Sequence, residues 1–189
     1  MEKQLVCNVR PSADSELPRI LELNKAAVPA VNLLNEQEIR NLLSQAEYFR
    51  SLWLDQDVIG FLVALVPGAT YESQNYRWFE SRYDQFLYVD RIVIDPSHQG
   101  IGFGRMFYDK LREFAGQRVP RITCEVNLRP RNESSLRFHR RYGFRQVGVQ
   151  EAEGGIKQVS LLAYEMPQTP SHGVEKPFSL FQRTDLTVF

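Results

Sequence analysis

The chain alternates between two hydrophobic periods, and each period marks a different kind of secondary structure. Four segments carry apolar residues at three- and four-residue spacing, which is typical of amphipathic helices. Seven shorter segments are apolar throughout or at every second position, which is typical of strands. The predicted helices cover approximately residues 16–27, 36–47, 103–115 and 133–142. The predicted strands cover approximately residues 6–9, 49–55, 58–66, 86–95, 121–127, 145–150 and 156–165.

Capping residues and glycines at the segment ends support these boundaries. Asn35 and Asn132 stand just before two of the helical patterns, where an asparagine side chain can accept a hydrogen bond from the first turn. Gly116 and Gly143 follow the last apolar positions of two helices and predict their ends. The pair Gly154–Gly155 predicts a hairpin between the last two strands.

The element order is β-α-α-β-β-β-α-β-α-β-β, which predicts an α/β (α+β) fold with a mixed, mostly antiparallel sheet flanked by helices. The strand over residues 86–95 lies in the middle of this order. Period two places a set of its residues on one face: Phe86, Tyr88, Asp90, Ile92 and Ile94. Residues 67–83 form a longer, aromatic-rich segment that either lines a pocket or packs a short helix onto the sheet.

Length and composition indicate one globular domain. The 189 residues are 43% hydrophobic and 24% charged, which suffices for a core without disulfides or metal. We expect this domain to span residues 1–166 and a polar, proline-containing tail to follow over residues 167–189. The sequence has no apolar run near twenty residues and no signal-peptide pattern, so we expect a cytoplasmic protein without a membrane partner. Cys7 and Cys124 then stay reduced, and no metal-ligand cluster is visible.

Although the net charge is zero, the charged residues are unevenly distributed along the chain. Residues 97–146 contain 11 lysines and arginines against 4 aspartates and glutamates, so the rest of the chain carries the opposite excess. Such a basic half suits a polyphosphate ligand, although surface arginines can also cluster without function. We expect no nucleic-acid partner, because no basic run is interleaved with aromatics in a recognisable module.

The most informative segment is the glycine-rich turn between the strand over residues 86–95 and the following helix. Gly100, Gly102 and Gly104 leave backbone N–H groups uncovered where a helix N-terminus presents its unsatisfied donors. Such a turn attracts anions, above all a pyrophosphate. The dinucleotide fingerprint does not fit, because Arg105 occupies the position of its third glycine. A P-loop does not fit either, because no Gly-Lys-Ser/Thr follows.

Two motifs resemble the GNAT superfamily of acyltransferases. The first is Gln99-x-x-Gly102-x-Gly104, which resembles its coenzyme A pyrophosphate loop. The second is Asn132-x-x-Ser135-x-x-x-His139-x-x-x-Gly143-Phe144, which resembles its closing motif at the expected distance. The resemblance covers roughly residues 5–166, within an uncharacterised bacterial subgroup, and implies a GNAT fold with acetyl-CoA as co-substrate and no metal.

The resemblance also implies where coenzyme A binds. The turn would hold the pyrophosphate, the strand backbone would pair with the pantetheine arm, and Asn132 would contact the pantetheine. One N–H group of the strand would polarise the thioester carbonyl, at a point where this strand and the next separate. The implied cofactor-binding residues are Ile92, Val93, Ile94, Gln99, Gly100, Ile101, Gly102, Phe103, Gly104, Arg105 and Asn132.

One departure from the family concerns the general acid. The family usually places a tyrosine where this chain has His139, and Tyr142 lies on a different part of the helix. Histidine can donate a proton near neutral pH, so His139 is a candidate acid. A thiolate with a pKa of about 8.5 needs little help to leave, so a structural role for His139 stays open.

An amine acceptor requires a base, because an ammonium ion has no lone pair for attack. Glu125 aligns with the glutamate that serves as base in ribosomal-protein N-terminal acetyltransferases of the superfamily. Asp90 is the competing carboxylate, and either could instead pair structurally with an arginine such as Arg91. The candidate catalytic residues are therefore Glu125, His139 and Asp90.

The resemblance implies an acetyl-CoA-dependent N-acetyltransferase that transfers acetyl directly to a small-molecule or peptide amine. A protein of this fold that binds acyl-CoA as a sensor, without turning it over, is the alternative. A dinucleotide-binding protein is a more distant one. The sequence does not identify the acceptor, and a homodimer is possible.

Overall fold

The computed structural model describes residues 6–116, 118–152 and 155–167. The predicted tail over residues 167–189 lies outside these residues apart from Pro167, and Gly154 of the predicted hairpin lies outside them too. The helices are α1 (Leu17–Ala26), α2 (Glu36–Gln45), α3 (Gln74–Glu80), α4 (Phe103–Ala115) and α5 (Glu133–Tyr142). The strands are β1 (Cys7–Pro11), β2 (Tyr48–Leu54), β3 (Asp57–Leu65), β4 (Leu87–Ile94), β5 (Arg121–Arg129), β6 (Arg145–Ala152) and β7 (Lys157–Glu165).

The strands form one seven-stranded sheet in the order β1-β2-β3-β4-β5-β7-β6. Every neighbouring pair is antiparallel except β4 and β5, which run parallel with α4 as their connection. The predicted mixed, mostly antiparallel sheet flanked by helices is confirmed.

Each face of the sheet has its own hydrophobic core. On one face, α1, α2 and α3 bury residues such as Ile20, Ile39 and Phe79 against the strands. On the other face, α4 buries Phe107 and Leu111, with α5 packed beside it. Both faces of β4 are therefore covered, and the sheet lies between two helical layers.

Local signals explain why several boundaries agree with the prediction. Asn35 accepts a hydrogen bond from the backbone N–H of Glu38, and the Glu38 carboxylate accepts one from the N–H of Asn35, which completes a capping box. Asn132 accepts from the N–H of Ser135 and begins α5 at the predicted residue. Gly143, at φ 118°, ends α5 in the left-handed conformation that glycine tolerates.

Two features differ from the sequence-based expectation. The aromatic segment contains α3, which the predicted element order lacks. The predicted single face of β4 is wrong, because Tyr88 lies in the core beside α3 whereas Ile92 and Ile94 pack on the α4 side. The physical reason is a bulge: Val63 pairs with Arg91 and Ala64 with Val89, so Asp90 is an extra residue and the alternation reverses.

Candidate active site

The centre of the sheet opens where β4 and β5 stop pairing. Their parallel ladder consists of Leu87 with Ile122, Tyr88 with Thr123, and Val89 with Cys124, and both strands continue beyond it. A cavity of about 420 Å³ occupies the gap, and helix α5 forms one of its walls. Glu125, Asp90, His139, Asn132 and Ile92 all line this cavity. Residues far apart in the chain are thus brought to one site.

The glycine turn follows β4 and leads directly into α4. The Gln99 side-chain amide donates to the Ile94 carbonyl over 3.0 Å and holds the turn against the end of the strand. Gly100 and Gly102 have φ values of 80° and 104°, and a Cβ added at either would meet no atom within 4 Å. Gly102 caps α4 without a side-chain hydrogen bond, so the first N–H groups of this 13-residue helix are not covered by a capping side chain. This arrangement suits a phosphate.

The other residues of the turn and of β4 differ in their surroundings. Arg105 and Ile101 are exposed at the turn, and Gly104 faces the ring of Phe138 on α5. Phe103 is partly buried on the α4 side, as is Ile94, whereas the Val93 side chain is buried in the opposite core. The side chain of Val93 therefore stabilises the fold, and only its backbone could meet a ligand.

Glu125 points into the cavity from β5. Its Oε1 accepts a hydrogen bond of 3.0 Å from the Asn75 amide on α3. Its Oε2 is sealed from solvent and has no hydrogen-bond partner among the described residues. Burial raises the pKa of this carboxyl to about 7, and the nearby Asp90 raises the pKa further, whereas the hydroxyl of Tyr88 and the Asn75 amide lower it. A carboxyl of this kind exchanges protons near neutral pH.

Asp90 lies in the same cavity, but both of its oxygens are occupied. Oδ1 accepts from the hydroxyl of Tyr71, and Oδ2 accepts from Arg91 Nε over 2.6 Å. Only 5% of the Asp90 side chain is exposed, and Arg91 is equally buried. Arg91 also donates to Asn24 on α1 over 2.7 Å, which ties this ion pair to the helical layer.

His139 is buried between α5 and α4. Its Nδ1 lies 2.8 Å from the carbonyl oxygen of Ser135, so Nδ1 carries the proton and donates it. Its Nε2 lies 2.8 Å from the hydroxyl of Tyr108, which therefore donates to the imidazole. Burial lowers the pKa of His139 to about 4, so the ring is neutral at pH 7.

Asn132 stands at the cavity wall, but its side-chain oxygen is engaged in capping. It accepts from the N–H of Ser135 over 3.1 Å and from the hydroxyl of Ser134 over 3.0 Å. The amide nitrogen of Asn132 is the end of the side chain that a ligand in the cavity could meet.

Two site residues that line the cavity with the predicted ones, Asn75 and Tyr108, were missed by the sequence analysis. Both alternatives stated for the aromatic segment 67–83 are found, because Tyr71 lines the cavity and α3 packs onto the sheet. No pattern singles out Asn75 or Tyr71 within the aromatic segment. Tyr108 carried a usable signal, because a tyrosine on the buried side of an amphipathic helix needs a partner for its hydroxyl.

Within residues 6–116, 118–152 and 155–167, no three histidine, cysteine, aspartate or glutamate side chains are grouped so that they could hold a metal ion. None of the helices in those ranges has the length and hydropathy that a membrane span requires.

Comparison with known proteins gives one family and a set of similar folds. The model of the Acetyltransferase (GNAT) family matches residues 17–144. The ribosomal-protein-S18-alanine N-acetyltransferase of Escherichia coli superposes with a TM-score of 0.67 at 15% identity, over 88% of this chain and 98% of that one. Arabidopsis thaliana NAA60 in complex with acetyl-CoA gives a TM-score of 0.67 at 17% identity, over 85% and 99%.

A third similar structure is yncA of Salmonella typhimurium, described as a putative acetyltransferase with its cofactor acetyl-CoA. Its TM-score is 0.64 at 15% identity, over 89% of this chain and 99% of that one. A direct search of curated proteins found no significant match. At these sequence identities the superpositions establish a shared fold alone. The assignment to a family rests on the match of the family model to residues 17–144.

Proposed function

The chain belongs to the Acetyltransferase (GNAT) family, and from this premise we propose that it transfers the acetyl group of acetyl-CoA directly to an amine. An acyltransferase of this type must hold a thioester and an acceptor side by side, because the gain in rate comes mainly from positioning and electrostatics. The single observation that carries the proposal is the position of the Glu125 carboxylate in the cavity where β4 and β5 separate.

The residues present fit the phosphate and pantetheine parts of coenzyme A. The backbone of Gln99–Arg105 would hold the pyrophosphate, because the turn is open around Gly100 and Gly102 and leads into a helix N-terminus. The backbone of Ile92–Ile94, with Asn132 across the gap, would border the pantetheine arm. Bound in this way, acetyl-CoA supplies the activated acetyl group. Similar folds that bind acetyl-CoA support this assignment.

Glu125 is the proposed general base. An amine acceptor is protonated at neutral pH and must lose a proton before it attacks. A carboxylate with a pKa of about 7 is a better base than one with an ordinary value, and it is still half ionised at pH 7. The carboxylate would accept the proton, either directly or through one bridging water.

Asp90 is the less suitable base because Tyr71 and Arg91 occupy its oxygens. We propose instead that its negative charge contributes to the cavity in two ways. It raises the pKa of Glu125, and it favours a cationic amine as the incoming group.

His139 is proposed to position Tyr108 rather than to protonate the leaving thiolate. Its Nε2 already accepts a hydrogen bond, and its Nδ1 proton is held by the Ser135 carbonyl. With a pKa of about 4, the ring has no second proton to give at neutral pH. The thiolate is stable enough to leave as the anion.

The acceptor is proposed to be a small-molecule or peptide amine in a cytoplasmic setting, since similar folds include enzymes for both. The test is a panel of small primary amines and short peptides with free N-termini, incubated with purified protein and acetyl-CoA. Mass spectrometry should detect an acetylated product with at least one amine, and Glu125→Gln should lose most of that activity. Binding of acetyl-CoA without any acetylated product would instead favour a sensor.

A further inference from the structure

The side-chain amide of Asn75 connects Glu125, the proposed base, to α3, the helix that lies between β3 and β4 in the chain. The Asn75 Nδ2 on α3 donates to Glu125 Oε1 over 3.0 Å. On its other side, Asn75 Oδ1 accepts from Gln150 Nε2 over 3.1 Å. A continuous chain of hydrogen bonds thus runs from β6, across α3, to the carboxylate on β5.

The orientation of the Asn75 amide is determined by this chain. Because an ionised carboxylate can only accept hydrogen bonds, the Asn75 nitrogen faces Glu125, and the Asn75 oxygen is left to accept from Gln150. Helix α3 itself is held against β6, since a Cβ added at Gly148 would lie only 2.5 Å from the Trp78 ring. The donor therefore reaches the carboxylate from a well-packed element.

The hydrogen bond from Asn75 gives the two carboxylate oxygens of Glu125 different surroundings. Oε1 is engaged by Asn75, whereas Oε2 has no hydrogen-bond partner within the described ranges. A carboxylate with one oxygen held by a packed helix has lost the freedom to rotate, and it keeps a fixed place in the wall of the cavity.

We propose that Asn75, oriented together with Gln150, is a positioning residue that holds the Glu125 carboxylate by Oε1 in the wall of the cavity. This inference rests on the proposed function, because a positioned carboxylate serves as a base only if the protein transfers acetyl to an amine. It adds a role for α3, an element that neither recognised motif contains.

The inference has a consequence for the titration of Glu125. A donor to the carboxylate favours its ionised form, so removing the Asn75 amide should raise the pKa of Glu125 above its present value near 7. The other titratable or charged groups that face this carboxyl or share its cavity are Glu72, Asp90, Tyr88, Arg91, Tyr71, Tyr108, Cys124, His139 and Lys157. All of them stay in place when Asn75 alone is changed.

The test is a direct titration by NMR of protein labelled with ¹³C at the glutamate carboxyls, which requires no acceptor. The Glu125 signal is identified by its absence from Glu125→Gln. Asn75→Leu, which keeps the side-chain size, should raise the pKa of Glu125 by about one unit. Gln150→Ala, which leaves α3 intact, should shift it in the same direction by less, and it serves if Asn75→Leu does not fold.

The matched control is Asn41→Leu, the same substitution at an exposed position of α2 that does not line the cavity, and it should leave the Glu125 titration where it is. An unchanged pKa in both Asn75→Leu and Gln150→Ala would overturn the inference.

If an acceptor is found, the apparent pKa of the acidic limb of the pH profile of kcat/KM should rise in the same two variants. The activity that they lose at pH 7 should then be recovered above pH 9. A wild-type protein without any transfer would refute the proposed function while leaving the titration result readable.

Discussion

At the scale of single residues, the site contains a carboxyl group whose burial reduces the stability of the fold when it is ionised. Glu125 is a carboxyl whose ionised form is disfavoured by burial, with one oxygen unpartnered among the described residues. An ordinary structural glutamate would be paired or exposed. A buried carboxyl with a raised pKa in a cavity is the pattern expected of a catalytic base.

The first prediction concerns stability and activity of Glu125→Gln. Between pH 4.5 and 7 the folded protein binds more protons at this site than the unfolded chain, so wild-type stability falls as pH rises through that window. The variant should therefore be more stable than wild type at pH 8, by on the order of 2 kcal/mol, and nearly equal to it at pH 4. Urea unfolding at both pH values measures this, and equal stabilities at pH 8 would contradict it.

The second prediction concerns His139→Gln. The unfolded chain protonates this histidine near its ordinary pKa of 6.5, whereas the folded protein does so only near 4. Wild-type stability should therefore be lost as pH falls from 6.5 to 4, and the variant should lose less over the same range. Melting temperatures between pH 4 and 7 measure the difference. Because His139 is not the proposed acid, acetyl transfer by the variant should fall less than tenfold, and a loss well above tenfold would restore the acid hypothesis.

At the scale of secondary structure, β4 organises the site. The bulge at Asp90 turns the strand so that Tyr88 and Ile92 face opposite cores, and the ladder to β5 ends beside it. Gly60 of β3 lies against the same strand, opposite Ile94. A Cβ there would approach the Val93 carbonyl oxygen to 2.7 Å, so no larger residue fits without moving β4.

The third prediction is that Gly60→Ala destabilises the fold by about 1–3 kcal/mol, because the added methyl group overpacks backbone and core atoms. Denaturation in urea measures the loss. Gly104→Ala is the comparison: its added Cβ would meet only the Phe138 ring at an ordinary 3.4 Å, and alanine favours a helix. The argument is contradicted if the two variants have the same stability.

The fourth prediction separates backbone strain from ligand binding in the glycine turn. Gly102 and Gly68 both have positive φ values, 104° and 89°, and an added Cβ meets nothing within 4 Å at either. Gly102→Ala and Gly68→Ala should therefore lose similar stability, about 1 kcal/mol. Only Gly102→Ala should weaken acetyl-CoA binding, by about tenfold by calorimetry, because its methyl group covers the N–H groups at the start of α4. Equal Kd values for the two variants would argue against the turn as the phosphate site.

At the scale of the whole molecule, the charge distribution complements the site. The glycine turn, α4, β5 and α5 lie within the basic segment 97–146, whereas the carboxylates of Asp90 and Glu125 line the cavity at the centre of the sheet. The protein thus presents positive charge where we propose that phosphates bind, whereas side chains of both signs line the cavity.

The fifth prediction follows from this distribution. Association of coenzyme A should slow by roughly an order of magnitude between about 0.05 and 0.5 M salt, because screening removes long-range steering. Dissociation should change much less. Stopped-flow measurement of both rates tests this, and a salt-independent association rate would show that the basic segment does not steer the ligand.

The sequence by itself determined the elements that local interactions specify. The caps at Asn35 and Asn132, the helix ends at Gly116 and Gly143, and the alternation of the strands depend on neighbouring residues, so they could be predicted. The two motifs that indicated the family are also local. The predicted set Glu125, Asp90, His139 and Asn132 does line one cavity.

Only the tertiary structure decided how those residues are used. The bulge at Asp90 depends on pairing with β3, and the hydrogen bond from Asn75 depends on α3 crossing the sheet to β5. The hydroxyl that hydrogen-bonds to Nε2 of His139 belongs to a residue 31 positions earlier in the chain. Proton affinities and hydrogen-bond directions are set by groups that folding brings together across long sequence separations, and no local pattern records them.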